Sequence, residues 1–133
     1  MKIIKLTLLI ILSIGLLTGC GKKEDSKKDK EEIKSNINEN VIKDQTLDVF
    51  TFKNTSLIYK DGYSILETLV TNTSNEKQYL EEFKIHIKDE KGNVIVTLTG
   101  FIGDSIEANS SKRIVSTYGE DLTNATSIEY EKK

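Results

Sequence analysis

The sequence predicts that residues 41–133 form an all-β domain, an immunoglobulin-like antiparallel β-sandwich of six or seven strands. In this part of the chain apolar residues alternate with polar ones at a period of two, which is the repeat of a strand with one buried face. Segments rich in Gly, Asn, Asp and Ser separate the alternating stretches, and no run has helical periodicity. The 133 residues include no proline and no tryptophan. A small closed barrel is the alternative architecture.

The alternation predicts where the strands lie. Phe50 and Phe52 are expected to face the core from the first strand, and Ile128 and Tyr130 to share a face of the last. Lys60-Asp61-Gly62 is expected to be a tight turn, because glycine accepts a positive φ. The predicted strands cover residues 47–53, 56–59, 64–72, 78–88, 94–101, 111–118 and 125–131.

The alternation is clearest in residues 78–88. One face of this strand is predicted to be buried and the other to be exposed, because a shift of one residue would exchange the two faces. The predicted buried face carries Tyr79, Phe83, Ile85 and Ile87, and the exposed face carries Lys84, His86 and Lys88.

The N-terminal residues have the pattern of a signal peptide. Lys2 and Lys5 precede a run of twelve mostly aliphatic residues, 6–17. A signal-peptide core has ~7–15 such residues, whereas a helix that spans a membrane needs ~20. The sequence therefore predicts a signal-peptide helix over residues 1–19 rather than a membrane span.

The segment Leu17-Thr18-Gly19-Cys20 resembles the lipobox of bacterial lipoprotein precursors, and it contains the only cysteine of the chain. The resemblance covers residues 1–20. It implies cleavage between Gly19 and Cys20, a diacylglyceryl thioether on Cys20 and often a further acyl chain, such as palmitate, on its amine. Two acyl chains hold a protein stably at a membrane. The implied location is the extracytoplasmic face of the cell membrane.

A charged segment, residues 20–40, separates the lipid attachment site from the predicted sandwich. Lysines and acidic residues are equally frequent from Gly21 to Asn40, and Ile33 and Ile37 are the only aliphatic residues there. Such a composition predicts a disordered tether with transient helix. Because its charges balance, no basic field would recruit nucleic acid.

The turn that follows the clearest strand resembles a known domain. Ile85-His86-Ile87-Lys88-Asp89, followed by Gly92, is similar to the corresponding strand and turn of the FxLYD-type domain of bacterial surface lipoproteins. Lys88 departs from the tyrosine of that pattern. The resemblance spans residues 47–118, including Val70-Thr71-Asn72, and residues 106–109 lack the Pro-Gly turn of the family. It implies an immunoglobulin-like fold without known enzymatic activity.

The residues that carry chemistry form no recognisable catalytic or metal-binding set. His86 is the only histidine and no free cysteine is expected to join it as a ligand. The turns at residues 89–93 and 104–107 offer carboxylates, but without the spacing of a calcium loop. No nucleophile elbow or phosphate-binding loop is present. The sequence predicts neither a cofactor nor a catalytic site.

These observations favour a non-catalytic, lipid-anchored cell-envelope lipoprotein whose sandwich acts as an interaction module. Its expected partners are the membrane, through the lipid on Cys20, and an envelope protein or cell-wall glycan. Tyr59, Tyr63 and Tyr118 are candidates for a contact patch, although burial at the edge of the sandwich is the simpler interpretation. The alternative function is a ligand- or ion-binding accessory or sensor lipoprotein, which would require a deep pocket with convergent polar groups.

Overall fold

The structure, a computed structural model, describes residues 32–133. The predicted signal-peptide helix, the cleavage position between Gly19 and Cys20, and most of the predicted tether lie outside the described residues. The account that follows concerns the unit formed by residues 33–133.

Two antiparallel sheets pack against each other in this unit. The larger sheet has the order β1-β3-β4-β9, with β2 also pairing with β3, and the smaller sheet has the order β10-β6-β7. Strands β5 and β8 form a separate pair. In chain order the elements are β1 (Lys34–Ser35), α1 (Glu39–Ile42), β2 (Gln45–Leu47), β3 (Phe50–Lys60), β4 (Tyr63–Asn72), β5 (Gln78–Tyr79), β6 (Glu82–Lys88), β7 (Val94–Phe101), β8 (Ser105–Ile106), β9 (Ser111–Tyr118) and β10 (Ser127–Lys132).

The order in which the strands pair within each sheet gives the immunoglobulin-like arrangement. Hairpins join β3 to β4 and β6 to β7, while β9 returns beside β4 and β10 returns beside β6. In the larger sheet, β3, β4 and β9 thus occupy the places of immunoglobulin strands A, B and E. In the smaller sheet, β10, β6 and β7 occupy the places of strands F, C and C′. The predicted all-β sandwich is confirmed, and its six long strands agree with the predicted number. The remaining strands have only two or three residues.

The core lies between the two sheets and is centred on three aromatic rings. Phe52 stacks on Tyr130 with 3.9 Å between ring centroids, and Phe83 meets Phe52 edge-on at 5.0 Å. Phe50 and Phe52 are buried, as predicted for the first strand, and so are Ile128 and Tyr130 of the last. The edge-on pair of Phe83 and Phe52 is favoured because the edge of one ring meets the electron-rich face of the other.

The predicted phase of β6 is confirmed, with one correction at its start. Phe83, Ile85 and Ile87 are fully buried, whereas Tyr79 is 72% exposed. The strand predicted over residues 78–88 is broken at Leu80, whose N–H bonds to the carbonyl of Asp104 instead of continuing the ladder of β6. The break changes the phase, so Tyr79 is not on the buried face. The opposite face is half-buried rather than fully exposed.

The first predicted strand, residues 47–53, is in fact the junction of a hairpin. Leu47 ends β2, Asp48 adopts a φ of 58°, and β3 starts at Phe50. Strand β3 then continues through the predicted break, with a bulge at Asn54, where φ is 53°. Short Asp and Asn side chains tolerate this left-handed conformation better than most others.

The predicted turn at Lys60-Asp61-Gly62 is confirmed. Asp61 has a φ of 53° and Gly62 a φ of 83°, and Lys60 pairs directly with Tyr63. A two-residue loop with two positive φ angles is the hairpin turn that matches the twist of the flanking strands.

The domain begins earlier than the predicted boundary at Val41. Residues 33–40, predicted to be tether, belong to the folded unit. Lys34 pairs with Tyr59, which adds β1 to the larger sheet. Asn36 is buried and its amide donates to the carbonyl of Ala125 at 2.8 Å. One buried amide with satisfied hydrogen bonds thus holds a segment whose composition is otherwise typical of a tether.

Candidate interaction surface

Strand β6 places His86 between its two neighbours in the smaller sheet. His86 Nδ1 lies 2.9 Å from Oγ1 of Thr97 on β7, and Nε2 lies 2.7 Å from Oε2 of Glu131 on β10. The hydrogen bond from His86, together with the charge of Lys84, lowers the pKa of Glu131. These two contacts link β6 to both neighbouring strands, so His86 has a structural role in the smaller sheet.

The charged side chains around His86 are paired with one another. Lys88 contacts Glu129 and lowers the pKa of that carboxyl group, and Lys84 Nζ lies 3.8 Å from Oε1 of Glu131. Exposed pairs of this kind contribute little to stability. They make the outer face of the smaller sheet a polar surface of mixed sign.

The two acidic turns use their oxygens within the chain. Oδ1 of Asp89 accepts the backbone N–H groups of Lys91 and Asn93, both at 2.9 Å. In the turn at residues 104–107, Oε1 of Glu107 lies 2.8 Å from Nζ of Lys77. Across residues 32–133 no group of three or more His, Cys, Asp or Glu side chains is placed to hold a metal ion.

Asn72 is a buried polar residue that the sequence indicates only as the end of a predicted strand. It is fully buried at the end of β4, and its amide donates to the carbonyls of Glu76 at 2.7 Å and Ile106 at 3.0 Å. Its Oδ1 accepts the N–H of Ser74 at 2.9 Å. Asn72 thus fixes the loop after β4 to β8, and every one of these contacts is structural.

Two open clefts lie at opposite ends of the smaller sheet. Each is lined by side chains of mixed charge, and neither brings polar groups together in a deep pocket. A cleft of about 430 Å³ is lined by Tyr79, Leu80, Glu81, Glu82, Lys132 and Lys133. A second cleft, of about 530 Å³, is lined by Asp89, Glu90, Lys91, Asn93, Ile95, Asn124 and Thr126.

Strand β7 is the feature best suited to bind another molecule. It is an edge of the smaller sheet, and its eight residues, Val-Ile-Val-Thr-Leu-Thr-Gly-Phe, carry no charge. Val94, Ile95 and Phe101 are 49%, 46% and 61% exposed. An edge strand presents unpaired N–H and C=O groups, and natural proteins usually protect such strands with charged side chains or a covering segment.

Two other edge strands, β9 and β10, have the protection that β7 lacks. Strand β9 carries Lys112 and Arg113 near its start. Strand β10 carries Glu129, and Gln45 of β2 donates its side-chain amide to the carbonyl of Ile128 at 2.9 Å. The contrast in charge and cover identifies β7 as the accessible edge.

Only part of the β7 edge is covered by its neighbour β9. Ser116 Oγ donates to the carbonyl of Thr99 at 2.7 Å, and Lys112 Nζ donates to the carbonyl of Ile102 at 3.2 Å. Both contacts fall at or beyond the C-terminal half of β7. The described residues place no strand beside its first half, Val94–Thr97. We refer to this stretch as the open edge.

Of the three candidate tyrosines, two are half-buried at the edge of the sandwich and one is exposed. Tyr59 and Tyr118 are half-buried at the margin of the sandwich, and Lys34 Nζ lies 5.8 Å from the centroid of the Tyr59 ring. Tyr63 is exposed. Three residues that the sequence treated as one patch therefore do not form one.

No family model, curated protein or solved structure matches this chain. Among residues 32–133, no helix has the length and apolar character needed to cross a membrane.

Proposed function

We propose that the chain is a non-catalytic lipoprotein of the cell envelope, held at the extracytoplasmic face of the membrane by a lipid on Cys20, and that its sandwich binds a partner protein by strand addition to β7. The observation that carries the proposal is the open edge. It combines unpaired backbone groups with exposed apolar side chains in an uncharged strand. An extended peptide that adds to such an edge gains backbone hydrogen bonds, and pockets for alternate side chains give specificity.

The anchor in this proposal comes from the lipobox. Leu17-Thr18-Gly19-Cys20 follows a run with the length of a signal-peptide core. The resemblance of residues 47–118 to the FxLYD-type domain supports the same proposal, because that domain occurs in bacterial surface lipoproteins and has no known enzymatic activity.

The polar residues of the domain fit a binding role better than a catalytic one. His86 bonds to Thr97 and Glu131, and Asn72 holds the loop after β4. Each of these groups is committed to contacts within the chain. The clefts at the ends of the smaller sheet offer no converging set of polar groups, so we do not propose the alternative function of a ligand- or ion-binding sensor.

The test compares two single lysine substitutions in the full, lipidated chain. Ile95→Lys places a charge on the open edge, where a lysine disfavours the pairing of another strand, as on the protected edges of natural sheets. Thr46→Lys places the same side chain on an exposed position of β2 and serves as the control. Chemical cross-linking in intact membranes, followed by purification of the chain with its tether intact, measures which proteins each variant retains.

A partner protein retained by the unmodified chain and by Thr46→Lys, and reduced at least ~10-fold in Ile95→Lys, would support the proposal. That reduction corresponds to ~1.4 kcal/mol of binding free energy. Equal retention by both variants would contradict binding at β7. Retention of purified cell-wall glycan, unaffected by Ile95→Lys, would replace the protein partner with the glycan.

A further inference from the structure

The outer face of the larger sheet carries a second group of exposed apolar residues. In the register of the sheet, Ile58 lies beside Ile65 on β4, and Val115 of β9 lies beside Glu67. Tyr63 and Val115 are 56% and 53% exposed, and the other members are half-buried. We call this group the outer apolar face, and it consists of Ile58, Tyr63, Ile65, Leu69 and Val115.

The residues around the outer apolar face are those of a membrane–water interface. Tyr63 offers an apolar ring with a polar hydroxyl group, and such side chains concentrate at the level of lipid headgroups. Lys53 pairs with Leu69 in the register. Lysine can lay its aliphatic stem on an apolar surface while its amine reaches the headgroups. The carboxylate of Glu67 forms an ion pair with the guanidinium of Arg113.

The predicted tether enters the domain beside this face. Residue Ser35 of β1 pairs with Ile58, so the chain arrives at the edge of the larger sheet next to the outer apolar face. Ile33, immediately before β1, is exposed as well. Twelve residues, 21–32, join Cys20 to Ile33. Even fully extended, they span at most ~40–43 Å.

We propose that the outer apolar face lies against the lipid bilayer into which the acyl chains on Cys20 insert. This inference rests on the proposed function, because it requires the lipid anchor. A short connection keeps the face at a high effective concentration near the bilayer. A patch too small to hold a soluble protein at a membrane can therefore dock an anchored one.

This orientation leaves the proposed partner site accessible. The outer faces of two packed sheets point in opposite directions, so the charged face around His86 would point away from the bilayer. The open edge of β7 belongs to the smaller sheet and would lie at the side of the domain, beyond the membrane surface. Docking would thus present β7 to proteins of the envelope.

The test uses tryptophan as a reporter, because the chain contains none. Tyr63→Trp places an indole in the outer apolar face, and Tyr79→Trp places one at an exposed position of β5, a strand outside the larger sheet. The lipidated variants are reconstituted in phosphatidylglycerol–phosphatidylcholine vesicles whose phosphatidylcholine is either plain or brominated on its acyl chains. Bromine quenches an indole only on close approach, and flotation measures anchoring separately.

Stronger quenching of the Tyr63→Trp indole than of the Tyr79→Trp indole in brominated vesicles would support the inference. Adding Val115→Lys to the Tyr63→Trp chain should reduce that quenching while flotation is unchanged. Vesicles that carry the protein but quench both indoles equally, or neither, would overturn the docking orientation alone. Protein that does not float with plain vesicles would overturn the anchor in the proposed function, and the inference with it.

Discussion

Phe83 is one of the largest side chains in the core between the two sheets. Its ring is fully buried, and it lies so close to Gly100 that a Cβ on that glycine would be 2.2 Å from Cζ of Phe83. Phe83→Ala should lower the free energy of unfolding by ~3–5 kcal/mol, because the lost ring leaves a cavity. Urea denaturation of residues 33–133 measures the change. In a domain with ~5–15 kcal/mol of stability, a sizeable fraction would unfold.

His86→Ala is the matched comparison on the same strand. His86 is half-buried on the outer face, and its loss removes the bonds to Thr97 and Glu131. Those partners remain accessible to water, so we expect a loss of about 0.5–1.5 kcal/mol, as for ordinary hydrogen bonds. A loss at His86 equal to that at Phe83 would contradict the assignment of the two faces of β6.

The buried phenol of Tyr130 should make the domain less stable as the pH becomes alkaline. Burial raises the pKa of its phenol above the ordinary 10.0, against the opposing effect of hydrogen bonding to Thr55 and Thr68. Above pH ~10 the unfolded chain loses this proton while the folded chain keeps it. The free energy of unfolding should therefore fall as pH rises from ~10 toward the pKa in the folded state.

Tyr130→Phe isolates this contribution, because it keeps the ring that stacks on Phe52. Urea denaturation at pH 9 and pH 11 should show a smaller loss of stability between the two values in Tyr130→Phe than in the unmodified domain. The same loss in both would show that the phenol of Tyr130 titrates normally.

At the scale of elements, the hydrogen bonds of Asn36 hold β1 and α1 against the rest of the domain. Asn36 donates its backbone N–H to Leu57 and its side-chain amide to Ala125, both at 2.8 Å, and is buried. Asn36→Ala removes a buried acceptor and donor and leaves the carbonyl of Ala125 without this bond. The expected loss is ~1–3 kcal/mol. Hydrogen exchange should increase most in residues 33–42.

Asn40→Ala is the control for this prediction, since Asn40 is exposed on α1. It should change stability by no more than about 0.5 kcal/mol, as most surface substitutions do. Similar effects of the two changes would mean that the segment before Val41 contributes no specific packing, as expected if the tether extended to residue 40.

The elements differ in how far their structure could be predicted from sequence. The phase of β6 was predictable because Phe83, Ile85 and Ile87 alternate with charged residues without interruption. The β2–β3 hairpin was not, because its turn at Asp48 lies inside an alternating run and its left-handed φ has no sequence signal as strong as a glycine. Strand β1 could not be predicted because its segment has no alternating apolar residues. The hydrogen bond of the Asn36 amide holds this segment instead.

The sequence shows that the residues of β7 are uncharged, but it does not show that β7 lies at the edge of a sheet. Residues 94–101 are visibly uncharged in the sequence. That β7 is an edge strand depends on β9 returning beside β4 and β10 beside β6. These pairings join residues far apart in the chain, and strand periodicity carries no information about them.

At the scale of the whole molecule, the two sheets have different surfaces. The larger sheet carries the outer apolar face and receives the chain that leads from Cys20. The smaller sheet carries paired charges on its outer face and the open edge of β7. Attachment through Cys20 would therefore act on one side of the sandwich and leave the other side available for binding.

Cys20→Ser tests that attachment. Without the thiol no thioether can form, and the anchoring energy of the acyl chains, ~0.8 kcal/mol for each buried CH₂, is lost. We expect the protein to leave the membrane fraction and to be found either secreted or as an uncleaved precursor. Gly21→Ser, which keeps the thiol and the residues before it, is the control and should stay in the membrane fraction. A Cys20→Ser protein that loses residues 1–19 and still sediments with membranes would contradict anchoring through Cys20 and would leave the outer apolar face or a bound partner as the attachment.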